Sequence, residues 1–171
     1  MYNPPIKDCN LSFDGVDKFL GKKRKDVARQ VFFIHTDDEM KQYMLEDDYI
    51  TCEGSITQIT GGVLLLNLFY SITTTDAKRA FGRVTKGSII SFKMIDGGKV
   101  SLVNNKTESG SFDPLTRKHT YTLQYVINSG QEKILRKSEI DFVRMIWETG
   151  YEDYEVHNLD FFIDQFRCLN K

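Results

Sequence analysis

The feature that most constrains the fold is a change in hydrophobic period at Tyr49. Before Tyr49, apolar residues recur at spacings of three and four, as in amphipathic helices, and from Ile50 they recur at every second position, as in strands. Ile50 and Cys52 begin this alternation, which is typical of a strand with one solvent-facing side. We therefore predict a mainly helical N-terminal part, residues 1–48, followed by an antiparallel β region, residues 49–156.

Two signals in the N-terminal part predict short helices. Phe13 and Val16 belong to a helical pattern that Gly21 interrupts. Thr36 and Glu39 stand in the capping-box arrangement, in which the threonine oxygen accepts a backbone N–H and the glutamate reaches back to the cap. A helix is therefore expected to begin at Thr36.

The β region contains six to eight predicted strands separated by tight turns. The clearest strands are 63–72, 88–95, 99–103, 120–127 and 151–156, and 139–149 is assigned as a strand although it could also be a helix. Strand 63–72 is apolar on both faces at its start, so we expect it to be central. A turn at 128–130 leads into segment 132–135, and Glu148-Thr149-Gly150 predicts a hairpin into the last strand.

The last element is a predicted amphipathic helix, residues 158–169. Asn158 is expected to cap it, and Leu159, Phe162 and Phe166 belong to one apolar stripe. With a composition typical of a globular protein, 171 residues predict a single α+β domain, residues 1–171. Its expected fold is a mostly antiparallel sheet or partly open barrel with short N-terminal helices and a C-terminal capping helix.

This order of elements resembles that of pleckstrin-homology-like (PH-like) barrels, in which short strands are followed by one helix. The resemblance implies a partly open barrel. Members of that family that bind phosphoinositides carry lysines and arginines between their first two strands. The corresponding loop here, Ile59-Thr-Gly-Gly62, has none. The resemblance therefore gives no support to a lipid-headgroup site.

Cysteine usage and apolar runs predict the compartment. The three cysteines are widely separated and form no C-x-x-C pair, so we expect them to be reduced in a cytoplasmic protein of bacterial type. The N-terminus shows no secretory pattern. The longest apolar stretch, near 63–70, is far shorter than the ~20 residues of a membrane-spanning helix, so no membrane partner is expected.

Catalytic motifs are missing from the sequence: it contains no nucleophile elbow, P-loop, dinucleotide fingerprint or H-E-x-x-H pair. Cys52 could act as a nucleophile with His35 or His119 as its base. Its position on the apolar side of a strand instead favours a buried, inert thiol. A non-catalytic protein without a cofactor is therefore the favoured interpretation.

The acidic aromatic segment is the predicted partner-binding surface, since tyrosine and tryptophan beside charges are typical of protein interfaces. Its residues are Trp147, Tyr151, Glu152, Asp153, Tyr154, Glu155 and His157. No metal is expected there, because a strand points Glu152 and Asp153 to opposite faces.

Basic residues and aromatics in the β region suggest a further alternative. The basic run Lys22-Lys23-Arg24-Lys25, followed by Arg29, could contact phosphates. Lysines and arginines at positions 78–99, together with Phe81 and Phe92, match what a single-strand nucleic-acid binder of the OB type needs, but Phe92 shares the apolar face of Ile90. The leading hypothesis is a protein-binding or scaffolding module. The alternatives are a small-molecule-binding barrel or unrecognised enzyme with a pocket beside the C-terminal helix, and then an OB-like nucleic-acid binder.

Overall fold

The computed structural model describes residues 8–44 and 48–170, which contain eleven strands and three helices. The strands are β1 (Leu11–Val16), β2 (Lys23–Val27), β3 (Gln30–His35), β4 (Ile50–Ile59), β5 (Val63–Ile72), β6 (Ile89–Met94), β7 (Lys99–Asn104), β8 (Ser111–Asp113), β9 (Lys118–Ile127), β10 (Ile140–Trp147) and β11 (Gly150–Glu155). The helices are α1 (Ala77–Ala80), α2 (Ser129–Leu135) and α3 (Phe161–Leu169).

All strand pairs are antiparallel and belong to one sheet, in the order β1-β2-β4-β5-β9-β7-β6-β10-β11. Strand β3 continues the pairing of β2 along β4, and β8 pairs with β9. The sheet curls until Tyr154 of β11 stacks on Phe33 of β3, with ring centroids 4.9 Å apart. No backbone ladder joins β3 to β11 among the described residues, so the sheet is open. The α+β class with a C-terminal helix is confirmed.

Strand β5 is central, as its sequence predicts. It pairs with β4 on one side and with β9 on the other. Successive side chains alternate between the two faces, so Leu66, Leu68 and Tyr70 enter the core while Asn67 and Phe69 lie on the outer face. The predicted strands of the hairpin around Gly97 and the strand at 139–149 are confirmed as β6, β7 and β10.

The predicted N-terminal helices are wrong, because β1, β2 and β3 occupy that region. Phe32 and Phe33 are fully buried against the rest of the core, and β2 and β3 find their partner in β4. Burial and a distant partner strand thus override the local spacing that favoured a helix.

The helix predicted to begin at Thr36 is also wrong within the described residues, where 38–43 form turns. Residues 45–47 of that segment lie outside the described residues. Thr36 accepts a hydrogen bond from the backbone N–H of Tyr49 at 3.0 Å, so its side chain holds the start of β4 instead of capping a helix. Segment 132–135 belongs to α2, where Asn128 and Gln131 form a capping box.

Helix α3 is confirmed, although Asn158 does not cap it. The N-cap position is Asp160, and the Asn158 side chain donates to the carbonyl of Val31 at 3.1 Å. Phe162 and Phe166 are buried, as the apolar stripe predicts. The helix covers the inner face of the sheet near β2 and β4, and it positions the C-terminal end of the chain against the core.

The expectation of three reduced cysteines is wrong, since Cys9 and Cys168 form a disulfide across a Cα–Cα distance of 5.1 Å. The two residues are 159 positions apart, so nothing in the local sequence indicates that they meet. Cys52 is the free cysteine of the described chain and is buried. Within the described residues, no helix has the length and apolar character needed to cross a membrane.

Candidate functional site

The outer face of the sheet carries two neighbouring surfaces of opposite character. One is polar and lies over β2, β4, β5 and β9, and the other is apolar and runs from β9 to β11. Both arise from alternation, because the residues between the core positions of each strand all project to the same outer side.

The polar surface begins with an ion-pair cluster on the β1–β2 hairpin. Arg24 contacts Asp17 at 2.5 Å and Asp26 at 3.2 Å. Thr57 of β4 donates its hydroxyl to Asp26 at 2.6 Å. The backbone N–H of Leu20, together with further hydrogen bonds from Phe19 and Arg24, lowers the pKa of Asp17, so this carboxylate stays ionised.

A chain of side-chain hydrogen bonds continues from Thr57 across the next strands. Asn67 of β5 donates to Thr57 at 2.9 Å, and Gln124 of β9 donates to Asn67 at 3.3 Å. Asn105, just after β7, donates to Gln124 at 2.8 Å. Asn67 and Gln124 are each held by a neighbour on either side, and with Thr57 they line the floor of a groove of about 620 Å³, which we call the polar groove.

Two cationic side chains of the polar groove, those of Arg29 and Lys106, form no ion pair with an acidic residue in the described part of the chain. The guanidinium carbon of Arg29 lies over the ring of Phe69, 3.5 Å from its centroid. Lys106 lines the groove together with Thr122 and Gln124. Neither cation forms a salt bridge within the part of the chain that the structure describes.

The apolar surface is a line of five side chains from five adjacent strands. Val126 of β9 pairs with Val103 of β7, which pairs with Ile89 of β6. In the pairing of β10 with β6, Met145 stands opposite Ile90, so the next residue, Ile146, lies opposite Ile89. Ile146 in turn pairs with Tyr151 of β11. We call these five residues the apolar row, and they are 41–64% exposed.

Charged residues border the apolar row. In the next register, Ser91 faces Arg144, which holds Asp153 through two hydrogen bonds of 2.7 and 2.9 Å. This pairing with Arg144 lowers the pKa of Asp153. One register further lie Lys99, Lys93, Phe142 and Glu155.

The structure divides the predicted partner-binding segment between core and surface. Trp147 and Tyr154 are buried and joined by a hydrogen bond of 3.0 Å, so neither ring is available to a partner. Glu152 accepts a hydrogen bond from the Tyr154 hydroxyl. The pKa of this phenol is raised, mainly because the ring is buried and secondly because of the contact with Glu152. Tyr151, Asp153, Glu155 and His157 are exposed, and only Tyr151 joins the apolar row.

The acidic residues of this segment do not converge. No group of three or more His, Cys, Asp or Glu side chains with metal-site geometry occurs among the described residues. Glu152 faces Tyr154 while Asp153 pairs with Arg144 on the outer side. In α3, Asp164 is buried and contacts Arg167 at 3.2 Å.

Residues of the catalytic hypothesis are kept apart. Cys52 is fully buried, and burial raises the pKa of its thiol well above the ordinary value. His35 contacts Asp37 at 2.8 Å and stands edge-on to Tyr154. His119 is buried, and its burial lowers its pKa. No hydrogen bond connects Cys52 to either histidine in the described chain.

The aromatics of the nucleic-acid hypothesis are also in the core. Phe81 and Phe92 are 3% and 0% exposed, so neither can stack on a base. Of the residues that form the two surfaces, the sequence singled out Tyr151 of the apolar row and Arg24 and Arg29 of the polar groove, and most of the others were missed. Their signal is the alternation itself, since Asn67 and Phe69 stand between core residues, but the sequence does not show which strands lie side by side.

Comparison with protein-family models, with curated proteins and with solved structures finds no match to this chain. The protein is therefore classified by its own fold and by the surfaces that the fold presents. It is an α+β protein with an open antiparallel sheet, whose outer face carries a polar groove beside an apolar row.

Proposed function

We propose that this chain is a non-catalytic protein-binding module whose docking surface is the apolar row. The observation that carries the proposal is the alignment of five half-exposed apolar side chains on adjacent strands. At about 4.8 Å between strands, the row extends for roughly 19 Å. Single exposed apolar residues are ordinary, whereas a contiguous row on a rigid sheet is typical of an interaction surface.

The charges beside the row support a partner segment that carries acidic as well as apolar side chains. Lys93 and Lys99 are exposed, form no salt bridge within the described residues and outnumber Glu155, the acidic residue of the same register. Arg144 is already paired with Asp153. An approaching segment therefore meets unpaired positive charge at the rim and apolar surface in the centre, the arrangement found in protein interfaces.

A second copy of this chain is a poorer occupant. Strand β11 ends the sheet, and its six residues include Glu152, Asp153 and Glu155. Antiparallel pairing of two copies at this edge would bring these carboxylates together, which is destabilising. Charged edge strands protect against such pairing.

The test is the selection of 12-residue peptides from a random display library on the immobilised protein. We expect the selected peptides to combine apolar residues with Asp or Glu. Their affinity for the double variant Ile89→Ser and Val103→Ser should fall about tenfold or more, because two side chains that the peptide buries are removed. Ile134→Ser is the matched control, since Ile134 is 42% exposed on α2 and lies outside the row.

Any of four results would overturn the proposal. Selected peptides that are basic, or that bind the double variant as tightly as the parent protein, would place binding elsewhere. A parent protein that sediments as a dimer, with the double variant a monomer of unchanged thermal stability, would assign the row to a second copy. A steep loss of affinity with salt for single-stranded DNA would favour the nucleic-acid alternative.

The disulfide bears on the compartment in which this protein would meet its partner. The Cys9–Cys168 disulfide supports an oxidising compartment, where such bonds persist, over the cytoplasm expected from the sequence. The bacterial origin and the PH-like resemblance stay predictions.

A further inference from the structure

We propose that the polar groove binds a small ligand that carries one anionic group, a phosphate or a carboxylate, next to several hydroxyl groups. The groove lies over β2, β4, β5 and β9, and its lining shares no residue with the apolar row. This inference is therefore independent of the protein-binding proposal. The volume of the polar groove, about 620 Å³, suits a small ligand, because small-molecule sites usually measure about 300–1,000 Å³.

Arg29 is the anion-binding group. Its guanidinium carbon lies over the ring of Phe69, 3.5 Å from the centroid, and this cation–π contact restrains the side chain. Within the described chain these donors have neither a hydrogen-bond partner nor a salt bridge. Glu53 borders the adjoining hollow with Arg29 but forms no salt bridge with it. A guanidinium with open donors can bind two oxygens of a carboxylate or of a phosphate at the same time.

The charge balance of the lining leaves one positive charge for the ligand. Arg24, Arg29 and Lys106 contribute three cations, and Asp17 and Asp26 contribute two anions. Both acids are bound to Arg24, so the excess charge resides on Arg29 and Lys106. An anionic group bound in the groove offsets this charge.

The floor of the groove suits hydroxyl groups. Thr122 supplies an exposed hydroxyl, and Asn67 and Gln124 supply amides whose orientation is fixed by their mutual hydrogen bond, while the Ser55 and Thr57 hydroxyls are buried. Groups that are held in place before binding lose little entropy when a ligand arrives. Short polar side chains that both donate and accept hydrogen bonds match the hydroxyls of a sugar.

The experiment is an NMR titration of the ¹⁵N-labelled protein with four probes: glucose 6-phosphate, glucuronate, glucose and inorganic phosphate. We expect the two anionic sugars to bind more tightly than glucose or phosphate alone. The shift changes should centre on the amides of Asn67, Phe69 and Gln124. A comparison of glucose 6-phosphate with glucuronate identifies which anion the groove prefers.

Variants establish the role of the cations. Arg29→Gln and Lys106→Gln should each weaken glucose 6-phosphate binding about tenfold or more, the effect of losing one charged hydrogen-bond donor. Arg79→Gln is the matched control, because Arg79 is exposed on α1 and does not line the groove. It should bind like the parent protein.

The proposal is overturned if no probe shifts the groove amides, or if Arg29→Gln binds glucose 6-phosphate like the parent. Inorganic phosphate that binds as tightly as the phosphorylated sugar would also overturn it, since the floor would then contribute nothing. Unchanged thermal melts for both variants would show that loss of binding is not loss of the fold.

Discussion

Gln165 of α3 completes the hydrogen bonding of the sheet where β2 and β3 separate. Its side-chain oxygen accepts from the backbone N–H of Ile56 at 2.9 Å, and its nitrogen donates to the carbonyl of Ala28 at 3.2 Å. The residue is fully buried. One amide thus takes the position that a backbone partner would occupy, which joins the helix to the sheet by polar as well as apolar contacts.

We expect Gln165→Leu to lower the free energy of unfolding by about 1–3 kcal/mol, because the buried N–H of Ile56 loses its partner. Urea denaturation measures the change. Gln58→Leu on β4 is the control, since Gln58 forms no side-chain hydrogen bond within the described residues and its loss should change stability little. Equal midpoints for Gln165→Leu and the parent would contradict the bridging role.

Tyr121 makes the free energy of unfolding depend on pH in the alkaline range. Burial, and then the nearby Glu108 and Glu148, raises the pKa of Tyr121 from 10.0 to about 12. The folded state therefore holds the phenolic proton more strongly than the unfolded state does. The stabilisation is complete below pH 10 and is lost as the pH rises through 12.

We expect the free energy of unfolding to fall between pH 10 and 12, and to fall less steeply in Tyr121→Phe. The same substitution removes the hydrogen bond of 2.7 Å to Gly82, so the variant should already be about 1 kcal/mol less stable at neutral pH. Tyr151→Phe, at an exposed position of β11, is the control and should keep the pH dependence of the parent. A Tyr121→Phe profile parallel to that of the parent would contradict the assignment.

At the scale of elements, α3 is the best predicted part of the chain and contributes a large share of the core. Phe161, Phe162 and Phe166 are buried, and the ring of Phe162 lies 5.2 Å from that of Phe92 on β6. The Phe161 ring lies so close to Gly54 that a Cβ there would be 2.6 Å from it. A residue larger than glycine at position 54 would push the helix away from β4.

Phe162→Ala or Phe166→Ala should each lower the free energy of unfolding by about 3–5 kcal/mol, as expected when a buried aromatic ring is removed. Ile163→Ala, on the same helix at a partly exposed position, is the control and should lower the free energy of unfolding by less. Denaturant midpoints measure both. Midpoints unchanged in the phenylalanine variants would mean that α3 does not pack on the sheet.

The N-terminal strands show where elements could not be predicted. In β3, Phe32 and Phe33 are adjacent and both buried, so the strand lacks the strict alternation that identifies β9. The register of β3 on β4 shifts between Val31 and Phe33, which places two consecutive rings in the core. Such an irregularity depends on the partner strand and leaves no periodic signal in the sequence.

At the scale of the whole molecule, the Cys9–Cys168 disulfide connects the segment before β1 to α3. It closes a loop of about 160 residues, and the chain-entropy model assigns such a crosslink a stabilisation of about 5 kcal/mol. We expect reduction, or the double variant Cys9→Ser and Cys168→Ser, to lower the free energy of unfolding by about 2–5 kcal/mol.

Denaturation with and without a reductant measures this effect, and the double variant is the control because a reductant should not change it. Thiol titration gives an independent check. The oxidised native protein should show no reactive thiol, since Cys52 is buried, and one should appear on unfolding. Three titrating thiols in the unfolded, unreduced protein would contradict the disulfide.

The sequence alone determined the antiparallel β region, the central position of β5 and the docking face of α3. Each of these depends on the spacing of neighbouring residues, which the chain carries locally. The tertiary structure decided the strands before Tyr49, the disulfide, the polar groove and the apolar row. These depend on which strands lie side by side and in which register, and residues such as Val103 and Ile146 meet on one face only after distant segments have paired.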